Sequence, residues 1–209
     1  MSNELLKAFD ADGSYKGTYS RDEVHEKGFW HETFHCWFIC KENDKHYILF
    51  QLRSNQKKDY PNKLDITAAG HLSADERVSD GIREVHEELD VKIALSALIS
   101  IGTIPDQIIQ KDIIDREFAH VFVYIIPDGV HHEYEFQTEE VSGIMKVELD
   151  AFEQLWLNHK DYVLAQGILL DGDLKKVSVE KTYCKEDFVP HENSYILEVL
   201  RKFKDVLKQ

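Results

Sequence analysis

Gly70-His71-Leu72-Ser73-Ala74-Asp75-Glu76, followed by Ile82-Arg83-Glu84-Val85-His86-Glu87-Glu88-Leu89, is the stretch on which the reading of this chain turns. A loop opened by glycine passes into a run with helical spacing. On that helix Glu84, Glu87 and Glu88 stand at i, i+3 and i+4, so three carboxylates share one surface strip. Like charges so placed repel unless something positive lies among them, and a hard divalent cation with oxygen ligands suits that need. Val78, Ile82, Val85 and Leu89 supply the opposite, core-facing stripe. An acidic helix face can equally be plain solvated surface, so its meaning depends on what flanks it.

The flanks read as alternating strands and helices. Leu5 to Phe9 and Tyr15 to Tyr19 form a hairpin around Asp10-Ala11-Asp12-Gly13, a turn that lacks the later ligands of a calcium loop. Ser20-Arg21-Asp22-Glu23 has the form of a capping box and starts a short helix that Gly28 ends. His31 to Cys40 and His46 to Leu52 pair around Asn43-Asp44, and a polar loop with Lys57, Lys58 and Lys63 leads back to the opening stretch. Further strands are expected over Val91 to Ile101, Phe118 to Ile126 (the most apolar, hence central) and Val141 to Leu149. Asp150 is expected to cap a helix ending near His159, Val177 to Tyr183 to form a late strand, and Pro190 to open an amphipathic terminal helix. The class is α/β: mixed β-sheets between helices in a single 209-residue domain. Its core spans about 30–160, with a hairpin over 1–29 and a helical cover over 161–209.

Composition narrows the function. Hydrophobic residues at 43% are enough for a packed core, and 39 acidic against 25 basic residues give a formal charge of -14. Such a balance argues against a grip on nucleic acid, yet a bound metal would still let a phosphate-bearing small molecule in. Met1-Ser2-Asn3-Glu4 has no basic or apolar leader character, and no window reaches the apolar length of a membrane span. Cys36, Cys40 and Cys184 are then expected as reduced thiols in a cytoplasmic protein.

Gly70, Glu76 and the run Arg83-Glu84-Val85-His86-Glu87-Glu88-Leu89-Asp90-Val91 together resemble the signature of the Nudix hydrolases, Gx5Ex7REUxEExGU with U apolar. The resemblance implies the α/β/α sandwich of that family and cleavage of a P–O–P link by water, with Mg²⁺ or Mn²⁺ bound by the signature glutamates. It departs twice. Six residues separate Glu76 from Arg83 where the pattern has seven, and Asp90 stands at the pattern's second glycine. Carried over by position, Glu84, Glu87 and Glu88 would be metal ligands, and Arg83 would orient a carboxylate through its fork of donors. Glu76 would either bind metal or cap the helix from Ser73. Chemistry agrees: diphosphate cleavage needs charge neutralised on non-bridging oxygens and a water held in line.

A branch of the same fold isomerises isopentenyl diphosphate. Trp30-His31-Glu32-Thr33-Phe34, Leu52-Arg53-Ser54 and Ala68-Ala69-Gly70-His71 resemble its L-H-R-A-F, Q-R-S and C-C-S-H segments. Ala68 and Ala69 stand where that branch keeps its cysteine acid, which favours hydrolysis over isomerisation. His31 and His71 match its second metal site, and such ligation would favour Mn²⁺. Arg53, Lys57, Lys63 and Gly70 are the expected substrate contacts, and Glu140, beside Glu139, is the expected general base. Tyr183 and His191 are polar groups of the terminal cover that could read a base or sugar, though core roles suit them better. The expected activity is a divalent-metal-dependent pyrophosphohydrolase acting on a nucleoside diphosphate derivative or similar small diphosphate, possible as a homodimer. The alternatives are isopentenyl-diphosphate isomerase and a catalytically silent ligand-binding module.

Overall fold

The computed structural model describes residues 4–110 and 113–208; the reading of Met1-Ser2-Asn3 as lacking leader character falls outside them. The elements follow the order β1 (Leu5–Phe9), β2 (Tyr15–Ser20), α1 (Arg21–Lys27), β3 (Trp30–Glu42), β4 (Lys45–Arg53), β5 (Leu64–Asp65) and β6 (Ala68–His71). Then come α2 (Arg83–Leu89), β7 (Ile99–Gln110), β8 (Ile113–Ile125), β9 (Val141–Glu148), α3 (Leu149–Trp156), β10 (Tyr162–Leu170), β11 (Lys176–Cys184) and α4 (Asn193–Val206).

β3 is the spine. One of its edges pairs in parallel with β8 along ten residues, from Trp30↔Arg116 to Ile39↔Ile125, while its other edge is shared in turn by β1, β6 and β4. β3 and β4 leave the Asn43-Asp44 turn, where both residues have positive φ as a tight hairpin requires, and pair only as far as Phe38↔Leu49. Beyond that point they fork, and the segment from Leu64 to His71 fills the fork: β5 adds to β4 and β6 to β3. Thr67 pins the crotch, accepting from Phe38 N–H at 2.9 Å and donating to the Leu49 carbonyl. The loop into α2 therefore starts between two diverging strands, where a cleft opens.

Alternation along β3 separates two cores. Trp37 and Ile39 face a cluster with α3 and α4, including Phe152, Trp156, Tyr195 and Phe203. Phe34, Cys36 and Phe38 face the other side, against Val85 and Leu89 of α2. Helices thus cover both faces of a mixed sheet, as the α/β reading expected. Among the described residues no helix is long and apolar enough to cross a membrane.

Three expectations need correction. Val91 to Leu98 is not a strand: Val91 is buried on the α2 core, Ile93 receives a hydrogen bond from His86 at 3.1 Å, and a 3₁₀ turn at Leu95–Ala97 delays the strand to Ile99. α3 starts at Leu149 behind Glu148, without a side-chain cap, so Asp150 lies in its first turn. The segment 161–209 is only partly helical, because β10 and β11 form a hairpin that extends the sheet through β9. β10 is hard to read because Tyr162 and Leu164 sit on its solvent face, which blurs the apolar alternation. Gly167 at its centre lets β9 approach, since a Cβ there would stand 2.0 Å from the Ile144 carbonyl oxygen.

Candidate active site

α2 is preceded by a 3₁₀ turn, Val78–Ile82, and ends on Asp90 at φ 51°. A 3₁₀ turn advances the chain about 2.0 Å per residue against about 1.5 Å in an α-helix, which suits a loop one residue short of its pattern. Asp90 adopts the left-handed exit that glycine usually provides. Gly81 lets this turn lie against β3, where a Cβ would meet Phe34 Cβ at 2.5 Å. Gly70 does the same for the carboxylates: a Cβ there would stand 2.1 Å from Glu84 Oε1. Glycine therefore lets the β6 backbone and a signature glutamate occupy adjoining space.

Arg83 organises the acidic side chains. Its Nε and Nη2 clasp both oxygens of Glu76 at 2.5 and 3.0 Å, Nη1 reaches Glu84 Oε1 at 2.6 Å and Glu87 Oε2 at 3.3 Å, and Nη2 also donates to the His71 carbonyl at 3.0 Å. Glu76 further accepts from Ser73 N–H at 2.8 Å. With its oxygens engaged, and outside the cleft lining, Glu76 is placed as the anchor of Arg83 and of the loop. Of the two roles expected for Glu76, metal ligand or partner of Ser73, its contact with Ser73 N–H fits the second.

The cleft, with a cavity volume of about 420 Å³, is lined by Glu84, Glu87 and Glu88 on one wall and by Arg53, Lys57 and Glu140 on another. Glu88 is buried, and its Oε2 accepts from Gln51 Nε2 at 3.1 Å and from Ala69 N–H at 3.3 Å. Burial, with Glu84 beside it, holds the Glu88 carboxyl well above the usual range; burial likewise raises Glu84 to about 7, against the pull of Arg83. Buried Glu88 and half-buried Glu84 thus lack enough positive charge among the side chains, and a hard cation would supply it. Glu84 and Glu87 both lean on Arg83, so the three signature carboxylates do not close around one point here. Lys57 pairs with Glu140. Lys63, expected as a substrate contact, does not line the cleft; it donates to the Glu186 carbonyl beside the terminal segment.

His31 and His71 do come together, their rings 5.0 Å apart, and His25 from α1 stands 5.2 Å from each. Ligand atoms of these three imidazoles lie within 4.8 Å of one another, and so do those of His31, Asp115 and Glu117. The parallel register His31↔Glu117 sets the β8 acids beside the imidazoles. His31 Nδ1 donates to the Phe29 carbonyl at 3.2 Å, which leaves the Nε2 lone pair facing Asp115 Oδ1 at 3.4 Å. His25 Nε2, 3.7 Å from the same oxygen, His31 Nε2 and Asp115 Oδ1 are all buried and have no hydrogen-bond partner. Burial and the neighbouring Glu117 hold the Asp115 carboxyl well above its usual range, and a cation among these atoms would satisfy both the His31 lone pair and the Asp115 oxygen. Burial also holds all three imidazoles below their usual pKa, His25 at about 4, so they are neutral donors near pH 7. This donor set fits a divalent ion of intermediate softness.

Sequence reading missed His25, Asp115, Glu117 and Gln51. Asp115-x-Glu117 carries the period-2 spacing that puts both on one strand face, a signal that was available; His25 and Gln51 carry none.

No protein-family model matches the chain. It is 38% identical over 205 residues to an uncharacterized Nudix hydrolase of Clostridium acetobutylicum, covering 98% of this chain and 99% of that one. The chain belongs to the Nudix hydrolases. Nudix hydrolase 3 of Arabidopsis thaliana is 33% identical over 157 residues, covering 73% of this chain and 20% of that longer protein. The crystal structure of DR0079 from Deinococcus radiodurans shares the fold, with TM-score 0.53 at 18% identity, covering 75% of this Nudix chain and 88% of that one. As a Nudix hydrolase the chain is an enzyme acting on diphosphate bonds.

Proposed function

We propose that this Nudix hydrolase is a pyrophosphohydrolase dependent on Mg²⁺ or Mn²⁺, cleaving a nucleoside diphosphate derivative or similar small diphosphate by water attack at phosphorus. The observation that carries the reading is the meeting of Glu84, Glu87 and Glu88 with Arg53 and Lys57 across one cleft. Glu84, Glu87 and Glu88, brought together, would hold a divalent ion, which would neutralise charge on the diphosphate and make a bound water more acidic. Arg53 and Lys57 hold phosphate oxygens, and Arg83 sets Glu84 and Glu87. Glu140 takes the proton of the attacking water once substrate phosphate draws Lys57 away from it. His25, His31 and His71, with Asp115 and Glu117, are proposed as a second cation site suited to Mn²⁺.

Isomerisation by a cysteine acid finds no support among the residues that line the cleft. Ala68 pairs across from Cys36, whose thiol is buried in the α2 core and raised by that burial, and no cysteine lines the cleft. The three free cysteines suit a reducing cytoplasm, and a small diphosphate, with no nucleic acid or membrane partner, is the proposed ligand of a monomer or homodimer.

A panel of diphosphate compounds assayed with Mg²⁺ and with Mn²⁺ tests this reading. Turnover by E84Q and E88Q is expected to fall at least about a hundredfold. Wild-type rates in E87Q would sink the mechanism, dimethylallyl product from isopentenyl diphosphate would restore the isomerase, and tight binding without turnover would make the domain a silent module.

A further inference from the structure

Arg53 ends β4 at the cleft with much of its guanidinium already committed. Nε and Nη2 donate to the Asp59 carbonyl at 3.2 and 2.8 Å, and Nη1 donates to Asp65 Oδ2 at 2.8 Å. One N–H on each terminal nitrogen is left over for an anion. The direction of that pair is set by Asp65, and Asp65 is itself held. Its other oxygen accepts from Ile66 N–H at 2.8 Å and from His191 Nε2 at 2.9 Å.

His191 lies just ahead of α4 and lines the cleft, its side chain 10% exposed. Its Nδ1 meets Asp106 Oδ2 at 2.6 Å, and the second oxygen of Asp106 accepts from Glu192 N–H at 3.0 Å. Carboxylates face both ring nitrogens, so both carry protons and the ring is an imidazolium. Without it, Asp65 and Asp106, 7% and 1% exposed, would be two like charges sharing a buried floor.

We propose that His191 is the positioning residue for anion capture: by bridging Asp106 and Asp65 it fixes the carboxylate that aims the Arg53 guanidinium at a phosphate-bearing substrate. The proposal rests on the diphosphate reading above for the identity of the anion. His191 touches no substrate; it acts through Asp65.

A purely structural His191 and a positioning one differ in how their loss combines with the loss of Arg53. Affinity for inorganic pyrophosphate in the presence of Mg²⁺ is measured by calorimetry on the wild type, R53A, H191Q and the double variant. Loss of about tenfold is expected for R53A and about fivefold for H191Q, with the double variant no weaker than R53A alone. Additive losses, or unchanged affinity in a folded H191Q, would overturn the proposal. If H191Q does not fold, D106N replaces it, removing one anchor of His191 while leaving Asp65 and Arg53 in place; the same absence of additivity is expected, and additivity again overturns the idea. If the wild type binds no pyrophosphate, the diphosphate reading fails separately. The positioning role is then judged from the Arg53 Nε–H signal in proton–nitrogen NMR. A sharp signal in the wild type that is lost in H191Q supports it, and an unchanged signal overturns it.

Discussion

Gly70 sets the sharpest constraint on any one side chain at the site. A methyl group there would overlap the Glu84 carboxylate, the mobile end of a side chain, so the backbone can stay and Glu84 must swing away. G70A is therefore expected to fold with a stability loss of about 1 kcal/mol in thermal denaturation. On the role proposed for Glu84, turnover should fall about a hundredfold, because small displacements of a group that acts on the reacting atoms are costly. The residues most legible in the sequence were those within one helix, Arg83 to Glu88, since helical spacing alone puts their side chains side by side. Glu76 and Lys63 were harder. Each could reach several partners, and only the packed chain decides that Glu76 goes to Arg83 and Lys63 to the Glu186 carbonyl. His25 joins His31 and His71 through the angle at which α1 returns over the sheet, which no local spacing encodes.

α1 is the element whose sequence signal and contribution to the site are most closely joined. Ser20 Oγ accepts from Glu23 N–H at 3.3 Å while the Glu23 carboxylate accepts from Ser20 N–H at 3.3 Å, a reciprocal cap read directly from Ser20-Arg21-Asp22-Glu23. S20A is expected to cost about 1 kcal/mol in urea denaturation. Because the same helix presents His25, the proposed second cation site predicts that Mn²⁺ affinity by electron paramagnetic resonance falls with it, and more strongly in H25A. Paired strands with tight turns, such as β1–β2 and β3–β4, were legible for the same reason: the turn residues fix their register. The β10–β11 hairpin was not, because its apolar residues are split between the core and solvent. The parallel pairing of β3 with β8 depends on chain closure across some eighty residues, and it is this pairing that puts Asp115 and Glu117 beside His31.

Across the molecule, buried charge ties stability to pH. Burial tends to lower the His191 pKa, but Asp106 and Asp65 outweigh it and raise His191 to about 10. A base raised above its unfolded value near 6.5 contributes stability that is full below that pH and is lost as pH climbs toward 10. Asp65 works in the opposite sense. Held below its ordinary 3.8 by His191 and Arg53 despite its burial, it contributes stability at neutral pH that is lost in acid. Denaturation midpoints of the wild type should thus decline between pH 7 and pH 10, within the His191 window, and the difference from H191Q should shrink across the same interval. Unchanged separation of the two curves would refute the coupling. The His191 bridge also bears on folding kinetics. Its two carboxylate partners lie 85 and 126 residues away along the chain, so it can close only after most of the sheet has condensed, and contacts of such separation form late. In a refolding experiment, far-ultraviolet signal should recover before pyrophosphate-binding competence, with a lag in which the strands are in place and Asp65 and Asp106 still lack the His191 bridge.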